Sequence, residues 1–191
     1  MNTNDTYLVI EGMMKKRGGV HREILFPMLF NHFGFKTGAE VGVSQGLHAL
    51  TMLQNTSIYL YLVDNYRDHE CGCRGKNGDQ RYQDALTNLK SMIDAKRCSL
   101  IRANSVDAAK DIPDNSLDFC YIDADHSYDG IKTDVEAWYP KIKHGGIISG
   151  HDYKNRRPVG VIKFVNEFIA ANQLKLIILG GRGKGWLVVK P

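Results

Sequence analysis

No stretch of the 191 residues approaches the ~20 consecutive apolar residues that a helix needs to cross a bilayer. The first 20 residues are polar and hold no continuous apolar segment of the secretory kind, so a cytoplasmic setting is the expectation. Cysteine is scarce: the four are Cys71, Cys73, Cys98 and Cys120. None stands in C-x-x-C spacing, and the CGC at 71–73 has no second pair to complete four ligands, which argues against a zinc or redox site. Cys98 and Cys120 lie in apolar-leaning stretches and read as small core residues. An excess of one charge is also missing, with 25 Lys and Arg against 21 Asp and Glu, a net +4. That balance permits an anionic ligand without demanding nucleic acid. The basic clusters KKR (15–17) and KNRRP (154–158) are short and read as solvated faces. There is no repeat, low-complexity segment or linker, and the length suits one domain with a real core.

What is present is an alternation of apolar runs and helical patterns. Helical spacing is expected over 20–33, with Pro27 forcing a kink or an early break, and over 46–54, 80–94, 105–112, 128–142 and 160–172. Strands are expected at 39–43, 57–64, 98–103, 116–123 and 145–153, the last opened by a Gly-Gly turn. The tail, 174–190, reads as two apolar strands around a glycine-rich turn, hence a hairpin. Five β-α units followed by a hairpin predict an α/β fold: a doubly wound, Rossmann-like, largely parallel sheet with helices on both faces. Residues 1–35 form an N-terminal helical extension to a core at 36–191. The loop at 65–79 is too long and too rich in Gly, Asp and Arg to be a plain connection, and Arg67, Arg74 and Lys76 in it could meet an acidic acceptor.

In such a sheet ligands bind at the carboxyl ends of the strands. The first strand runs into "EVGVSQG", which supplies Glu40, Gly42, Ser44 and Gly46. The pattern is G-x-S-x-G and lacks the third glycine of the dinucleotide fingerprint. Glu40 lies inside the strand, where a carboxylate is costly unless it accepts hydrogen bonds or meets a cation. The second strand ends in Asp64, whose carboxylate can accept both hydroxyls of a ribose. Glu40, Gly42, Ser44, Gly46 and Asp64 therefore fit an adenosine-containing cofactor. His48, on the next helix, reads as a solvated residue, and Tyr128 and Trp138 as packing residues. Ser105 follows the third strand and reads either as a cofactor contact or as a helix cap.

The sequence from 118 to 153, "DFCYIDADHSYDGIKTDVEAWYPKIKHGGIISGHDY", closely resembles a small methyltransferase family sharing "IDADHSYEGV…D…W…L..GG…GHDY". With the glycine turn, the acid ending strand two and the terminal hairpin, about residues 36–190 resemble a class I S-adenosylmethionine-dependent methyltransferase, related to the cation-dependent O-methyltransferases of the catechol and caffeoyl-CoA type. The resemblance implies a seven-stranded sheet of order 3-2-1-4-5-7-6 with strand seven antiparallel, and S-adenosylmethionine as cofactor. It also implies that Ser105 lies near the adenine pocket and that Asp123 lines the cofactor site.

The same resemblance gives meaning to the charged strand ends. Strands four and five would be neighbours, bringing Asp123 of "DADH" beside His151 and Asp152 of "GHDY". Two facing carboxylates repel unless protonated or bridged by a cation. Asp123 and Asp152 match metal ligands of the cation-dependent relatives, whose third ligand, an Asn, is Tyr153 here. His151 or His126 could complete a site for Mg²⁺ or Mn²⁺, with imidazole tilting the choice toward Mn, Fe or Zn. Asp125 or His126 could act as general base on an acceptor hydroxyl, with Asp123 beside them. Asp125 also reads as the N-cap of the helix that follows, and His126 as a hydrogen-bonded structural residue. The expected acceptor is a small molecule, not a nucleic acid: no N-P-P-Y-type segment follows strand four. A nicotinamide-dependent oxidoreductase and a non-catalytic cofactor-binding module are the competing readings. With no separate substrate domain, the acceptor wall falls to the first 35 residues, to 65–79, or to the second chain of a homodimer.

Overall fold

The computed structural model describes residues 3–15, 21–68, 77–154, 160–180 and 184–191. The sequence expectations for Cys71, Cys73, Arg74 and Lys76, and most of both basic clusters, lie outside those residues.

Two helices open the chain, α1 (Thr3–Lys15) and α2 (Arg22–Phe33). There follow β1 (Thr37–Val41), α3 (Leu47–Gln54), β2 (Tyr59–Asp64), α4 (Gly78–Asp94), β3 (Cys98–Arg102), α5 (Ser105–Lys110) and β4 (Leu117–Ile122). The last part holds α6 (Tyr128–Trp138), β5 (Ile142–Gly150), α7 (Gly160–Ala171), β6 (Ile177–Leu179) and β7 (Gly185–Val189). The strands form one sheet in the order β3-β2-β1-β4-β5-β7-β6. All neighbours among β1 to β5 pair in parallel, and β7 runs antiparallel to both β5 and β6. This is the doubly wound, Rossmann-like order that the resemblance implies.

The alternation of side chains along each strand feeds two cores. Phe119 and Tyr121 of β4 join Phe26, Phe30, Met52 and Leu53 on one face. Cys120 and Ile122 join Trp138, Val135, Val161 and Trp186 on the other. Cys98 and Cys120 are buried, unpaired thiols, as expected of core residues, and burial pushes the Cys98 thiol up to about 11.

Two local details emerge. Of the two outcomes expected at Pro27, a kink or an early break, the break does not occur: helix α2 runs through it to Phe33. Pro27 removes one backbone donor, but Leu25, Phe26, Leu29 and Phe30 are buried around it, and their burial outweighs the lost bond. The helix stops at Gly34, which is left-handed and whose N–H reaches the Phe30 carbonyl. Strand β5 begins at Ile142, upstream of the Gly-Gly pair, and the pairing with β4 jumps from Leu117↔Ile142 to Phe119↔Ile147. Gly145 and Gly146 thus sit inside an irregularity of the strand, not at its start. Helix α1 is docked onto the far edge of the sheet. The Tyr7 hydroxyl donates to the Lys175 carbonyl at 2.5 Å and accepts from the Val189 N–H at 3.0 Å.

Candidate functional site

The ladders of β1, β4 and β5 continue one residue beyond the strands. Gly42 N–H donates to Val63 O, Asp123 N–H to Val41 O, and His151 N–H to Ile122 O, at 2.9, 2.8 and 3.1 Å. Backbone register alone therefore places the glycine turn, Asp123 and His151 side by side at the carboxyl end of the sheet.

Gly42 has φ of 90°, and a Cβ on it would stand 2.2 Å from the Asp123 carbonyl oxygen. The turn after β1 is pressed against the end of β4, and no side chain fits between them. Ser44 is left-handed, and so is Gly46 at the start of α3. Asp64 fastens this turn: its Oδ2 accepts from the Val43 and Ser44 N–H groups at 3.0 and 2.8 Å, and its Oδ1 from Tyr66 N–H at 2.7 Å.

Glu40 is 2% exposed. Its Oε1 lies 2.9 Å from Nδ1 of His48 in the first turn of α3. His48 is thus not the solvated residue the sequence suggests; its side chain is 13% exposed and packs edge-on to Phe26. The signal was the cost of burying Glu40, which required a partner close by. Among the described residues, Glu40 Oε2, His48 Nε2 and the Tyr121 hydroxyl are buried without hydrogen-bond partners. Burial drives the Tyr121 hydroxyl well above its ordinary range.

At the end of β4 the imidazole of His126 stands between two carboxylates. Its Nε2 is 3.0 Å from Asp123 Oδ1 and its Nδ1 is 3.2 Å from Asp152 Oδ2. His151 Nδ1 lies 3.6 Å from Asp123 Oδ1 and 3.3 Å from Asp152 Oδ1. The expected repulsion between Asp123 and Asp152 is relieved by these imidazoles, by Lys154 at 2.5 Å from Asp152, and by Arg22 at 4.0 Å from Asp123. Burial pushes the Asp123 carboxyl up, but the His126 hydrogen bond and the charges of His151, His126 and Arg22 outweigh it and hold the pKa below the usual range. The Asp123 hydrogen bond raises the His126 pKa against the opposing effect of burial.

Two expected residues, Asp125 and Ser105, do not join this cluster. Asp125 is exposed, and its Oδ1 accepts from Ser127 N–H at 2.8 Å. The N-cap of α6 is Ser127, whose hydroxyl accepts from Gly130 N–H, so Asp125 shapes the turn without being the cap. Ser105 accepts from Trp138 Nε1 at 2.8 Å and hydrogen-bonds Asp134, beneath α6. Asn104 occupies the N-cap position of α5. Tyr153, where the resemblance expects an amide ligand, donates its hydroxyl to Asn166 at 2.7 Å.

Asp123, His126 and His151 each offer a ligand atom, and these atoms lie within 4.8 Å of one another. One carboxylate and two imidazoles suit an ion such as Mn²⁺, Fe²⁺ or Zn²⁺ better than Mg²⁺. Asp152, the expected second carboxylate, stands at the edge of this set under Lys154.

A family model described as a methyltransferase domain matches residues 39–153. No curated protein matches the chain. Among solved structures, a proposed caffeoyl-CoA O-methyltransferase from Staphylococcus aureus aligns with a TM-score of 0.69 and 17% identity, over 96% of this chain and 91% of that one. A proposed O-methyltransferase from Klebsiella pneumoniae aligns with a TM-score of 0.67 and 15% identity, over 100% and 97%. An O-methyltransferase from Bacillus cereus, in complex with SAH, aligns with a TM-score of 0.63 and 16% identity, over 98% and 90%. At these identities the likeness establishes the fold.

Proposed function

Because the chain belongs to the methyltransferase-domain family, as an S-adenosylmethionine-dependent enzyme of class I, we propose that it methylates a hydroxyl oxygen of a small-molecule acceptor at the carboxyl end of the sheet. The observation that carries this reading is the imidazole of His126 held between Asp123 and Asp152. To accept a proton from the acceptor hydroxyl, Nδ1 of His126 gives up Asp152, the longer of its two contacts at 3.2 Å, while Asp123 keeps the Nε2–H, orients the ring and stabilises the imidazolium. Methyl transfer from a sulfonium is otherwise mainly a matter of in-line positioning. Glu40, Gly42, Ser44, Gly46 and Asp64 hold the cofactor, and Asp123 adjoins it. Asp125 and Ser105 act at most through the turns they shape, given their partners.

The residues present fit a divalent ion. Asp123 and His151 would hold it, with Asp152 or His126 as the further donor. Such an ion would lower the pKa of the acceptor hydroxyl. Acceptor selection falls to α2 and to residues 65–79, and a homodimer could supply a further wall. A cytoplasmic setting belongs to the same reading.

The test is product formation. Purified protein is given S-adenosylmethionine and a panel of hydroxylated and amino acceptors, with chelator or with added Mn²⁺, and S-adenosylhomocysteine is measured. Acceptor-dependent product with hydroxyl compounds is expected. Turnover confined to amines would overturn the oxygen assignment, and turnover unaffected by chelator would remove the ion.

A further inference from the structure

We propose that Arg22, at the start of α2, is the receptor for a carboxylate at the reaction site. The inference rests on the reading of this site as the cofactor and acceptor site. The Arg22 side chain is only 22% exposed, yet it is poorly paired. Among the described residues its Nε is buried without a hydrogen-bond partner. Glu23 Oε1 stands 3.5 Å from Nε and Asp123 Oδ2 stands 4.0 Å from Nη1, both beyond good hydrogen-bond reach. The guanidinium lies over the Tyr121 ring, 5.4 Å from its centroid. A guanidinium placed over an aromatic ring, with neither neighbouring carboxylate in good hydrogen-bond range, is preorganised for a two-point contact with a carboxylate. Leaving the buried N–H unmet is costly, so a partner is expected there.

The surroundings carry the complementary charge. Tyr121 stacks at 4.6 Å centroid distance on His48, and His48 pairs with Glu40. A line of side chains thus runs from a cation at Arg22 to an anion at Glu40, with unpartnered polar atoms on Arg22, Tyr121, His48 and Glu40. The carboxylate at the amino-acid end of S-adenosylmethionine is one anion of the kind Arg22 would take. A carboxylated acceptor offers the same carboxylate to Arg22.

The experiment compares wild type with Arg22→Ala and Arg22→Lys, with thermal melting of each variant recorded first. Calorimetric titrations use S-adenosylhomocysteine and methylthioadenosine, which lacks the amino-acid end. Product assays then use protocatechuate and catechol, which differ by one carboxylate. The expected result is a loss of about 10- to 100-fold in S-adenosylhomocysteine affinity on Arg22→Ala, the loss of one charge-assisted contact, with methylthioadenosine binding unchanged and partial recovery in Arg22→Lys. If S-adenosylhomocysteine binding is untouched but the preference for protocatechuate over catechol is lost, the carboxylate is the acceptor's. Equal losses for both nucleosides, or no change in any arm, overturn the proposal. Failure of wild type to bind either nucleoside would instead sink the cofactor reading itself.

Discussion

Nδ1 of His48 lies 2.9 Å from Oε1 of Glu40, across the turn that joins β1 to α3. Glu40 sits in a central strand, and its other oxygen has no hydrogen-bond partner among the described residues. The His48 contact is therefore the one that the described residues offer against the cost of a buried carboxylate. His48→Ala should destabilise the fold by about 3 kcal/mol, the usual result of stranding a buried charge. Adding Glu40→Gln to His48→Ala should recover part of that loss. Urea denaturation of the two single variants and the double variant measures the coupling; strictly additive effects would show that the pair does not act as a unit.

Gly42 and Gly145 both have left-handed backbones, with φ of 90° and 79°, but only Gly42 faces an obstacle. A methyl group there would lie 2.2 Å from the Asp123 carbonyl oxygen, whereas nothing lies within 4 Å at Gly145. Gly145→Ala should cost about 1 kcal/mol of backbone strain and leave ligand binding intact. Gly42→Ala must push the glycine turn away from β4, and S-adenosylhomocysteine affinity should fall by at least about tenfold, ~1.4 kcal/mol. Calorimetry on both variants separates strain from displacement.

The β-α alternation and the hairpin made the architecture legible, because strand and helix periods are written in neighbouring residues. Charged residues directly after apolar runs marked Asp64, Asp123 and Asp152 as strand-end groups for the same reason. What failed depended on side-chain direction across elements. His48 looked like an ordinary polar helix residue, since its partner is on another element. Pro27 read as a kink or a break, and the break was open only because the burial that compensates it is tertiary. Ser105 read equally as a cofactor contact or a helix cap, yet its hydroxyl meets Trp138 and Asn104 holds the cap position.

His126 should separate chemistry from binding. His126→Gln keeps a polar side chain between Asp123 and Asp152 but cannot take a proton at neutral pH. If His126 is the base, turnover should fall by roughly 10²- to 10⁴-fold. S-adenosylhomocysteine affinity should stay within about twofold, because the glycine turn and Asp64 are untouched. The check is kcat beside a calorimetric Kd. A loss of affinity equal to the loss of turnover would assign His126 to site architecture instead.

Asp134 offers a pH signature away from the reacting groups. It is 6% exposed, and burial pushes its carboxyl up from 3.8 to about 6, only partly opposed by the Ser105 hydrogen bond. The folded chain therefore binds this proton more tightly than the unfolded chain. The contribution of the neutral carboxyl is fully present below about 4 and is lost as pH rises through about 6. Asp134→Asn keeps an acceptor for the Ser105 hydroxyl and cannot ionise. The stability difference, variant minus wild type, should therefore grow by on the order of 2–3 kcal/mol between about pH 4 and about pH 8, in favour of the variant. Denaturant titrations of both proteins across that range measure it. A difference that stays flat would mean that Asp134 ionises in the fold as readily as in the unfolded chain, and that its hydrogen bond to Ser105 already offsets the cost of burial.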